Sequence, residues 1–190
     1  MIFLARHGQT EWSRSGQHTS RTDLPLIEEG RRRAQQIGKE LAGRSFALVL
    51  CSPLLRARET CELAGFGANA VLSDDLREWD YGEYEGLTTP QIRDLNPDWI
   101  LWRDGCPGGE QPEDVAARAD RAIAQLRGAD GDAIAFAHGH ILRVLAARWI
   151  EMPAAAGGRL ALAAGAICEL GFERETEVIQ MWNFTGPLAQ

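Results

Sequence analysis

Short apolar runs alternate with amphipathic segments along this chain, a pattern that indicates an α/β fold. Strands are predicted at residues 1–4, 46–51, 71–72 and 133–137. Helices are predicted at residues 28–41, 53–64, 89–95, 113–127 and 142–149. Two further runs, at residues 166–172 and 177–182, predict an antiparallel hairpin. We therefore predict a three-layer α/β/α sandwich with a mostly parallel sheet and one antiparallel strand.

Two long connections interrupt this pattern and are predicted to carry function. Residues 9–23 are polar and contain several Ser, Thr and Gly, so we interpret them as a loop over the functional site. Residues 98–110 form a second connector that is rich in Trp and Gly. Loops longer than roughly 12 residues in compact domains are usually binding loops or lids. No linker-like segment divides the chain, which predicts a single domain over residues 1–190.

Charge and hydropathy exclude several classes of protein. The net charge of −7 argues against nucleic-acid binding, which needs positive charge concentrated on a groove or face. No apolar stretch approaches the roughly 20 residues of a membrane span, and Arg6 follows the first apolar run too early for a signal peptide. We therefore expect a cytoplasmic protein without a membrane or nucleic-acid partner. The oligomeric state stays open, with a homodimer as one option.

The cysteines predict neither a metal site nor a disulfide. They are widely scattered, with no Cys-x-x-Cys pair and no His at ligand spacing. Cys51 ends a predicted strand and Cys61 lies within a predicted helix, so both are expected to be buried. Cys106 lies in the second connector, where we expect an exposed position. No metal and no other cofactor are expected.

Two predicted strands end in a similar chemical pattern. Arg-His-Gly at residues 6–8 follows the first strand, and His-Gly-His at residues 138–140 follows the strand at 133–137. In parallel sheets, ligands bind beyond the carboxyl ends of the strands. Neighbouring parallel strands would therefore bring His7 and His138 into one site.

A site that holds Arg6, His7, Arg56, Glu78 and His138 suits phosphoryl transfer. Two arginines can grip phosphoryl oxygens and stay charged at any working pH. A neutral imidazole can attack phosphorus, and nearby arginines would lower its pKa because like charges disfavour imidazolium. The second histidine can stabilise charge on the transferring group. A carboxyl group can protonate the leaving oxygen and then activate water.

The acidic segment at residues 76–86 leaves the identity of that carboxyl group open. Besides Glu78, it contains Asp80, Glu83 and Glu85, which compete for the same role on residue type alone. Geometry rather than residue type decides which group acts as a general acid.

Five motifs occur in order along the chain. They are LARHGQTEW at residues 4–12, a segment at 22–30 that begins with TDLPL and ends with Gly30, CSPLLRARET at 51–60, LREWDYGEYEG at 76–86 and AHG at 137–139. Together they resemble the histidine phosphatase superfamily, also called phosphoglycerate mutase-like, over nearly the whole chain. The resemblance implies that His7 is the phosphorylated nucleophile and Glu78 the general acid and base. The candidate phosphate-binding or substrate-binding residues are Arg6, Arg56, His138, Gly139, Ser13 and Thr19.

Residues 78–91, 102–110 and 136–140 look like a phosphatase branch that includes small bacterial acid phosphatases and fungal sedoheptulose-bisphosphatase-like enzymes. The expected function is therefore hydrolysis of a small phosphorylated metabolite. One alternative is a cofactor-dependent phosphoglycerate mutase. However, mutases are longer, carry an asparagine where Ser13 stands, and usually have a glycine where Ser20 follows Thr19. A second alternative is a non-catalytic phosphate-binding module on the same fold.

Overall fold

The computed structural model describes residues 1–186 and contains a six-stranded sheet. The strands are β1 (Ile2–Arg6), β2 (Leu48–Cys51), β3 (Ala70–Leu72), β4 (Ala133–Ala137), β5 (Ile167–Glu173) and β6 (Thr176–Phe184). They are ordered β3-β2-β4-β1-β5-β6, and only β5 within this sheet runs opposite to the others. The predicted mostly parallel sheet and terminal hairpin are confirmed. Residues 187–190, the end of the predicted domain, lie outside the described residues.

Each predicted helix forms, with ends that agree within three residues. The helices are α1 (Glu11–Ser15), α2 (Glu28–Glu40), α3 (Leu55–Leu63), α4 (Thr89–Leu95), α5 (Leu101–Asp104), α6 (Pro112–Arg127) and α7 (Gly139–Trp149). Short 3₁₀ helices lie at Gly67–Asn69, Asp74–Leu76, Gly82–Tyr84 and Ala154–Arg159. None of the helices in the described part of the chain has the length and apolar character needed to cross a bilayer.

The three layers follow from the alternation of side chains along the central strands. Phe3 and Ala5 of β1 join a buried cluster with residues of α2 and α3. Ile2 and Leu4 point to the opposite face and join a second cluster with residues of α6 and α7. Successive side chains of a strand alternate between faces, so both faces of this apolar strand are covered by helices.

β1 and β4 are neighbours at the centre of the sheet, as the histidine pattern predicts. They pair in parallel, with Arg6 in register with Ala137. One residue further, the His7 amide donates to the Ala137 carbonyl at 2.9 Å. The two strands therefore end at the same edge of the sheet and release His7 and His138 side by side.

The helix predicted at residues 53–64 is α3, and its predicted start and N-cap are wrong by two residues. α3 begins at Leu55 instead of Pro53, and its N-cap is Leu54, which makes no side-chain capping bond. Ser52, the predicted N-cap, lies two residues further back, and its hydroxyl pairs with the His138 imidazole. A contact with the neighbouring strand end thus replaces the local cap.

Both long connections contain more structure than their sequences indicate. The loop at residues 9–23 includes α1, where Thr10 and Ser13 form a reciprocal capping box. The connector at residues 98–110 includes α5, and its residues Trp99, Leu101 and Cys106 belong to the buried core. Within the connector, the Trp99 indole donates to the Gly105 carbonyl at 2.8 Å. Cys106 is fully buried beside this bond, so the expectation that it is exposed is wrong.

Candidate active site

The carboxyl end of β1 holds His7 with one ring nitrogen available for chemistry. Its Nδ1 lies 2.7 Å from the carbonyl oxygen of Gly8. A carbonyl oxygen can only accept, so Nδ1 carries the proton and Nε2 of the neutral ring keeps its lone pair. The residue is only 5% exposed, and it lines a cavity.

Gly8 lets the chain pass closely over the start of α2. A Cβ atom built on Gly8 would stand 2.3 Å from the carbonyl oxygen of Gly30. Its amide donates to the Thr60 hydroxyl of α3 at 3.0 Å. Because only glycine fits this approach, Gly8 shapes the turn that holds His7.

The end of β4 places His138 against His7, with 5.1 Å between the ring centroids. The Nε group of Arg56 donates to Nδ1 of His138 at 3.1 Å. Nδ1 therefore has no proton, and Nε2 donates to the Ser52 hydroxyl at 2.7 Å. Both ring nitrogens of this fully buried histidine are committed to protein partners.

Arg56 lies in the first turn of α3, as predicted, and its guanidinium is almost completely buried. Besides bonding His138, it donates to the carbonyl oxygens of Thr19 at 3.0 Å, Ser20 at 3.3 Å and Thr22 at 3.2 Å. Arg56 thus fastens the loop at residues 9–23 to the strand ends.

Arg6 lines the cavity and has one buried donor without a partner. Its Nη1 group donates to the Leu162 carbonyl oxygen, but its buried Nε group has no hydrogen-bond partner. Gly139 permits this position, since a Cβ atom there would stand 3.2 Å from the Arg6 Cζ atom. A buried donor without a partner is rare in native proteins, and a bound acceptor would satisfy it.

The carboxylate of Glu78 lies at the amino end of α7. Its Oε1 atom accepts from the amides of Trp79 and Ile141 at 2.9 Å, and its Oε2 atom accepts from the His140 amide at 3.0 Å. Amides in the first turn of a helix have no acceptor within the helix, so a carboxylate at this position satisfies them.

The other three acids of the segment have different surroundings. Asp80 pairs with Arg21, and Glu83 is exposed to solvent. Glu85 accepts from the Ser20 amide at 2.9 Å and from the Ser20 hydroxyl at 2.5 Å. Ser20, which departs from the usual glycine, thereby helps to anchor the loop.

Burial keeps both strand-end imidazoles neutral. It lowers the pKa of His7 well below its usual range, and the charges of Arg56 and Arg6 lower that pKa further. The pKa of His138 is lowered by burial first and then by Arg56 and His7. The predicted effect of the arginines is therefore present, but loss of water contributes more.

A cavity of about 240 Å³ opens at these strand ends. Among the predicted site residues, those that line it are Arg6, His7, Ser13, Thr19, Glu78 and Gly139. Arg56 and His138 lie behind this lining. The Ser13 hydroxyl is used in the cap of α1, and the Thr19 hydroxyl donates to the Gln17 carbonyl at 3.1 Å. Both hydroxyls therefore donate to carbonyl oxygens within the loop at residues 9–23.

The cavity also contains residues that the sequence did not single out for binding. They are Thr10, Gly16, Gln17, His18, Tyr81, Thr89, His140 and Arg143. The Tyr81 hydroxyl lies 2.6 Å from Nδ1 of His140. Arg143 follows Gly139 by four residues, and this helical spacing could have indicated that both face the site. No group of three or more His, Cys, Asp or Glu residues within residues 1–186 is placed to hold a metal ion.

Comparison with protein-family models matches residues 2–185 to the histidine phosphatase superfamily, branch 1. The chain belongs to this superfamily. An acid phosphatase of Mycobacterium tuberculosis is 41% identical over 97% of this chain and 93% of its own length. Sedoheptulose 1,7-bisphosphatase of Saccharomyces cerevisiae is 38% identical over 79% of this chain and 67% of its own length.

A solved structure shares this fold. The product of an open reading frame of Mycobacterium tuberculosis superimposes with a TM-score of 0.91 at 40% identity and covers 96% of each chain. The predicted family and its phosphoglycerate mutase-like fold are confirmed. The protein is thus a phosphatase of the histidine phosphatase family.

Proposed function

We propose that this histidine phosphatase hydrolyses a small phosphorylated metabolite through a phosphohistidine on His7, with Glu78 as general acid and base. One observation carries the proposal: a neutral His7 keeps the lone pair of Nε2 in a cavity that Arg6 and Glu78 also line. A nucleophile, a fixed cation and a carboxyl group thus surround the same space, as phosphoryl transfer requires.

In the first half-reaction, Nε2 of His7 attacks phosphorus. The P–N bond forms as the bond from phosphorus to the leaving oxygen breaks. Glu78 gives its proton to that oxygen, so the alcohol leaves as a neutral molecule. The phosphorylated imidazole is positively charged, and its Nδ1–H group keeps its bond to the Gly8 carbonyl oxygen.

Fixed donors stabilise the phosphoryl group during transfer. The guanidinium of Arg6, which lines the cavity, and the amide of Gly139, at the first position of α7, provide hydrogen bonds to its oxygens. Arg56 lies behind the cavity lining and contributes its positive charge from there. The bond to His138 fixes the orientation of the Arg56 guanidinium. Charged donors of this kind form the stronger hydrogen bonds to phosphate.

In the second half-reaction, the Glu78 carboxylate removes a proton from water as the water oxygen attacks phosphorus. The P–N bond breaks, its electron pair returns to Nε2 of His7, and inorganic phosphate leaves. Glu78 regains the proton that it gave to the alcohol. Glu78 therefore acts as acid in one step and as base in the next, because both reacting oxygens occupy the same position.

The experiment that tests this proposal is trapping of the phosphoenzyme during turnover of p-nitrophenyl phosphate. We expect an acid-labile, base-stable phosphoryl group on His7, and a loss of at least about 10³-fold in kcat for His7→Ala. The Glu78→Gln variant should slow both formation and hydrolysis of the phosphoenzyme. Full turnover by His7→Ala, or loss of activity on chelation of metals, would overturn the mechanism.

Two further measurements separate the alternatives. Exchange between 3-phosphoglycerate and 2-phosphoglycerate in the presence of 2,3-bisphosphoglycerate, without release of phosphate, would indicate a mutase. Stoichiometric binding of a phosphate ester without turnover would indicate a binding module. Release of inorganic phosphate in either assay would indicate a hydrolase.

A further inference from the structure

The segment at residues 160–166, which leads into β5, is hydrogen-bonded to the residues that end β1. The Gly165 amide donates to the His7 carbonyl at 2.9 Å. The Nη1 group of Arg6 donates to the Leu162 carbonyl. This carbonyl is the acceptor that orients the Arg6 guanidinium at the cavity, so the placement of the segment determines the placement of that cation.

Two side chains of β6 hold the residues on either side of Leu162. The Trp182 indole donates to the Ala161 carbonyl at 2.5 Å, and the side-chain carbonyl of Asn183 accepts from the Ala163 amide at 2.7 Å. The segment lies between the last 3₁₀ helix and β5 and has no regular secondary structure of its own. These side-chain contacts therefore replace the hydrogen bonds that a helix or a strand would provide.

A β-bulge directs both of these side chains to the same segment. Ile167 pairs with Phe184 and Glu169 pairs with Met181, so two steps along β5 lie opposite three steps along β6. Consecutive side chains of a regular strand point to opposite faces of the sheet. The extra residue interrupts this alternation, and bulges of this kind are frequent next to active sites, where they redirect a side chain.

The backbone of Asn183 restricts which residue can stand in the bulge. Its φ is 59°, in the left-handed region that glycine, asparagine and aspartate adopt more readily than other residues. Of these three, only asparagine and aspartate also carry a side-chain oxygen that can accept from the Ala163 amide. Asn183 thus satisfies a backbone requirement and a hydrogen-bond requirement together.

The segment is also fixed near its other end, by α2. The Nε group of Arg33 donates to the Gly165 carbonyl at 2.8 Å, and its Nη1 group pairs with Glu40 at 2.7 Å. Gly165 has a φ of 71°, and a Cβ atom there would stand 2.2 Å from the Arg33 Cγ atom. A helix and a bulged strand therefore hold the segment that Arg6 contacts.

We infer that Asn183 is a positioning residue for the phosphatase reaction, because it holds the Leu162 carbonyl where it orients the Arg6 guanidinium. Asn183 lies outside the cavity lining and acts through Arg6 without touching the substrate. The inference rests on the proposed role of Arg6 in binding the phosphoryl group. A displacement of about 1 Å in such a group can cost up to about 10²-fold in rate, even when its cause is distant from the reaction.

The test is a double-mutant cycle on kcat/KM for p-nitrophenyl phosphate. Asn183→Gly removes the acceptor and keeps a residue that suits the left-handed backbone. We expect a fall of about tenfold when Arg6 is present. In the Arg6→Ala background the same substitution should change kcat/KM by less than about twofold, because no guanidinium remains to be misplaced. Asn183→Asp keeps an acceptor oxygen and should stay within about threefold of the unsubstituted protein.

Arg174→Gly is the matched control. Arg174 also has a left-handed backbone, with a φ of 57°, and lies in the turn at the other end of the β5–β6 hairpin. Its substitution should leave kcat/KM within about twofold. Trp182→Phe keeps an aromatic ring and removes the indole donor, so it should lower kcat/KM about fivefold, again only when Arg6 is present. This variant tests the inference even if Asn183→Gly does not fold.

A purely structural role for Asn183 would give another result. It would lower the thermal midpoint and reduce kcat/KM by the same factor with and without Arg6, which would overturn the inference. Full activity of Asn183→Gly and Trp182→Phe, or an equal loss in Arg174→Gly, would also overturn it. The two proposals fail separately. Full activity of Arg6→Ala would overturn the proposed role of Arg6, whereas a large loss in Arg6→Ala with additive effects concerns Asn183 alone.

Discussion

The ends of β1 and β4 carry the same type of residue in the same setting, yet they give it different chemical freedom. His7 and His138 both follow a central strand, and burial lowers the pKa of each. His7 bonds through Nδ1 alone, whereas His138 uses both ring nitrogens, for Arg56 and Ser52. The number of hydrogen-bonded ring nitrogens therefore distinguishes the two residues. His7 keeps one nitrogen available as a nucleophile, whereas His138 uses both to hold Arg56 and Ser52.

After removal of His7 itself, the largest expected effect comes from removing His138, the histidine whose two ring nitrogens are both hydrogen-bonded. His138→Ala deprives the Arg56 Nε group of its acceptor, so the charge behind the phosphoryl site is no longer oriented. We expect kcat/KM for p-nitrophenyl phosphate to fall by about 10²–10³, while the phosphoryl label still appears on His7. Steady-state kinetics and acid–base quenching of the labelled enzyme measure the two quantities. A label that vanishes in His138→Ala but persists in His7→Ala would reverse the assigned roles.

Burial lowers the pKa of both histidines, and this predicts how the free energy of unfolding depends on pH. In the folded protein both rings are neutral, whereas in the unfolded chain they take up protons below a pKa of about 6.5. The unfolded state then binds more protons, so stability is lost as the pH falls below about 6.5. Between pH 7.5 and 5.5, we expect the two histidines to lower the free energy of unfolding by about 2–3 kcal/mol.

Urea denaturation at the two pH values measures this loss. Burial also lowers the pKa of His18 and His140, so the measured loss includes their share. The His7→Asn variant should reduce the loss by about 1 kcal/mol, the share of one buried imidazole. An unfolding free energy that does not change over this range would mean that the folded protein holds these rings in their charged form.

The strand ends could be predicted because their pattern is local. An apolar run followed by a histidine and a glycine places a side chain at the carboxyl edge of a sheet, and parallel pairing of β1 with β4 then brings His7 to His138. The same reasoning found Arg56 in the first turn of a helix. These residues depend on the rules of strand and helix geometry, which a single sequence expresses directly.

The hydrogen bonds of the site could not be predicted in this way. The Ser52 hydroxyl does not cap α3, and it accepts a hydrogen bond from a histidine 86 positions later in the sequence. Four acids competed for one role, and the amides at the start of α7 single out Glu78 by position. Cys106 is buried because its connector packs on the core. In each case the deciding partner is distant in sequence, so no local pattern contains it.

The smallest expected effect concerns the partner that fixes the tautomer of His138. Ser52→Ala leaves the Nε2–H group of this buried ring without an acceptor, at a cost of about 1 kcal/mol. The proton can then move to Nδ1, which would end the bond from Arg56, so we expect kcat/KM to fall about fivefold with phosphorylation of His7 retained. Ser73→Ala is the matched control, because Ser73 is also buried but its hydroxyl makes no hydrogen bond to residues 1–186. Equal activity of the two variants would show that His138 keeps its orientation through Arg56 alone.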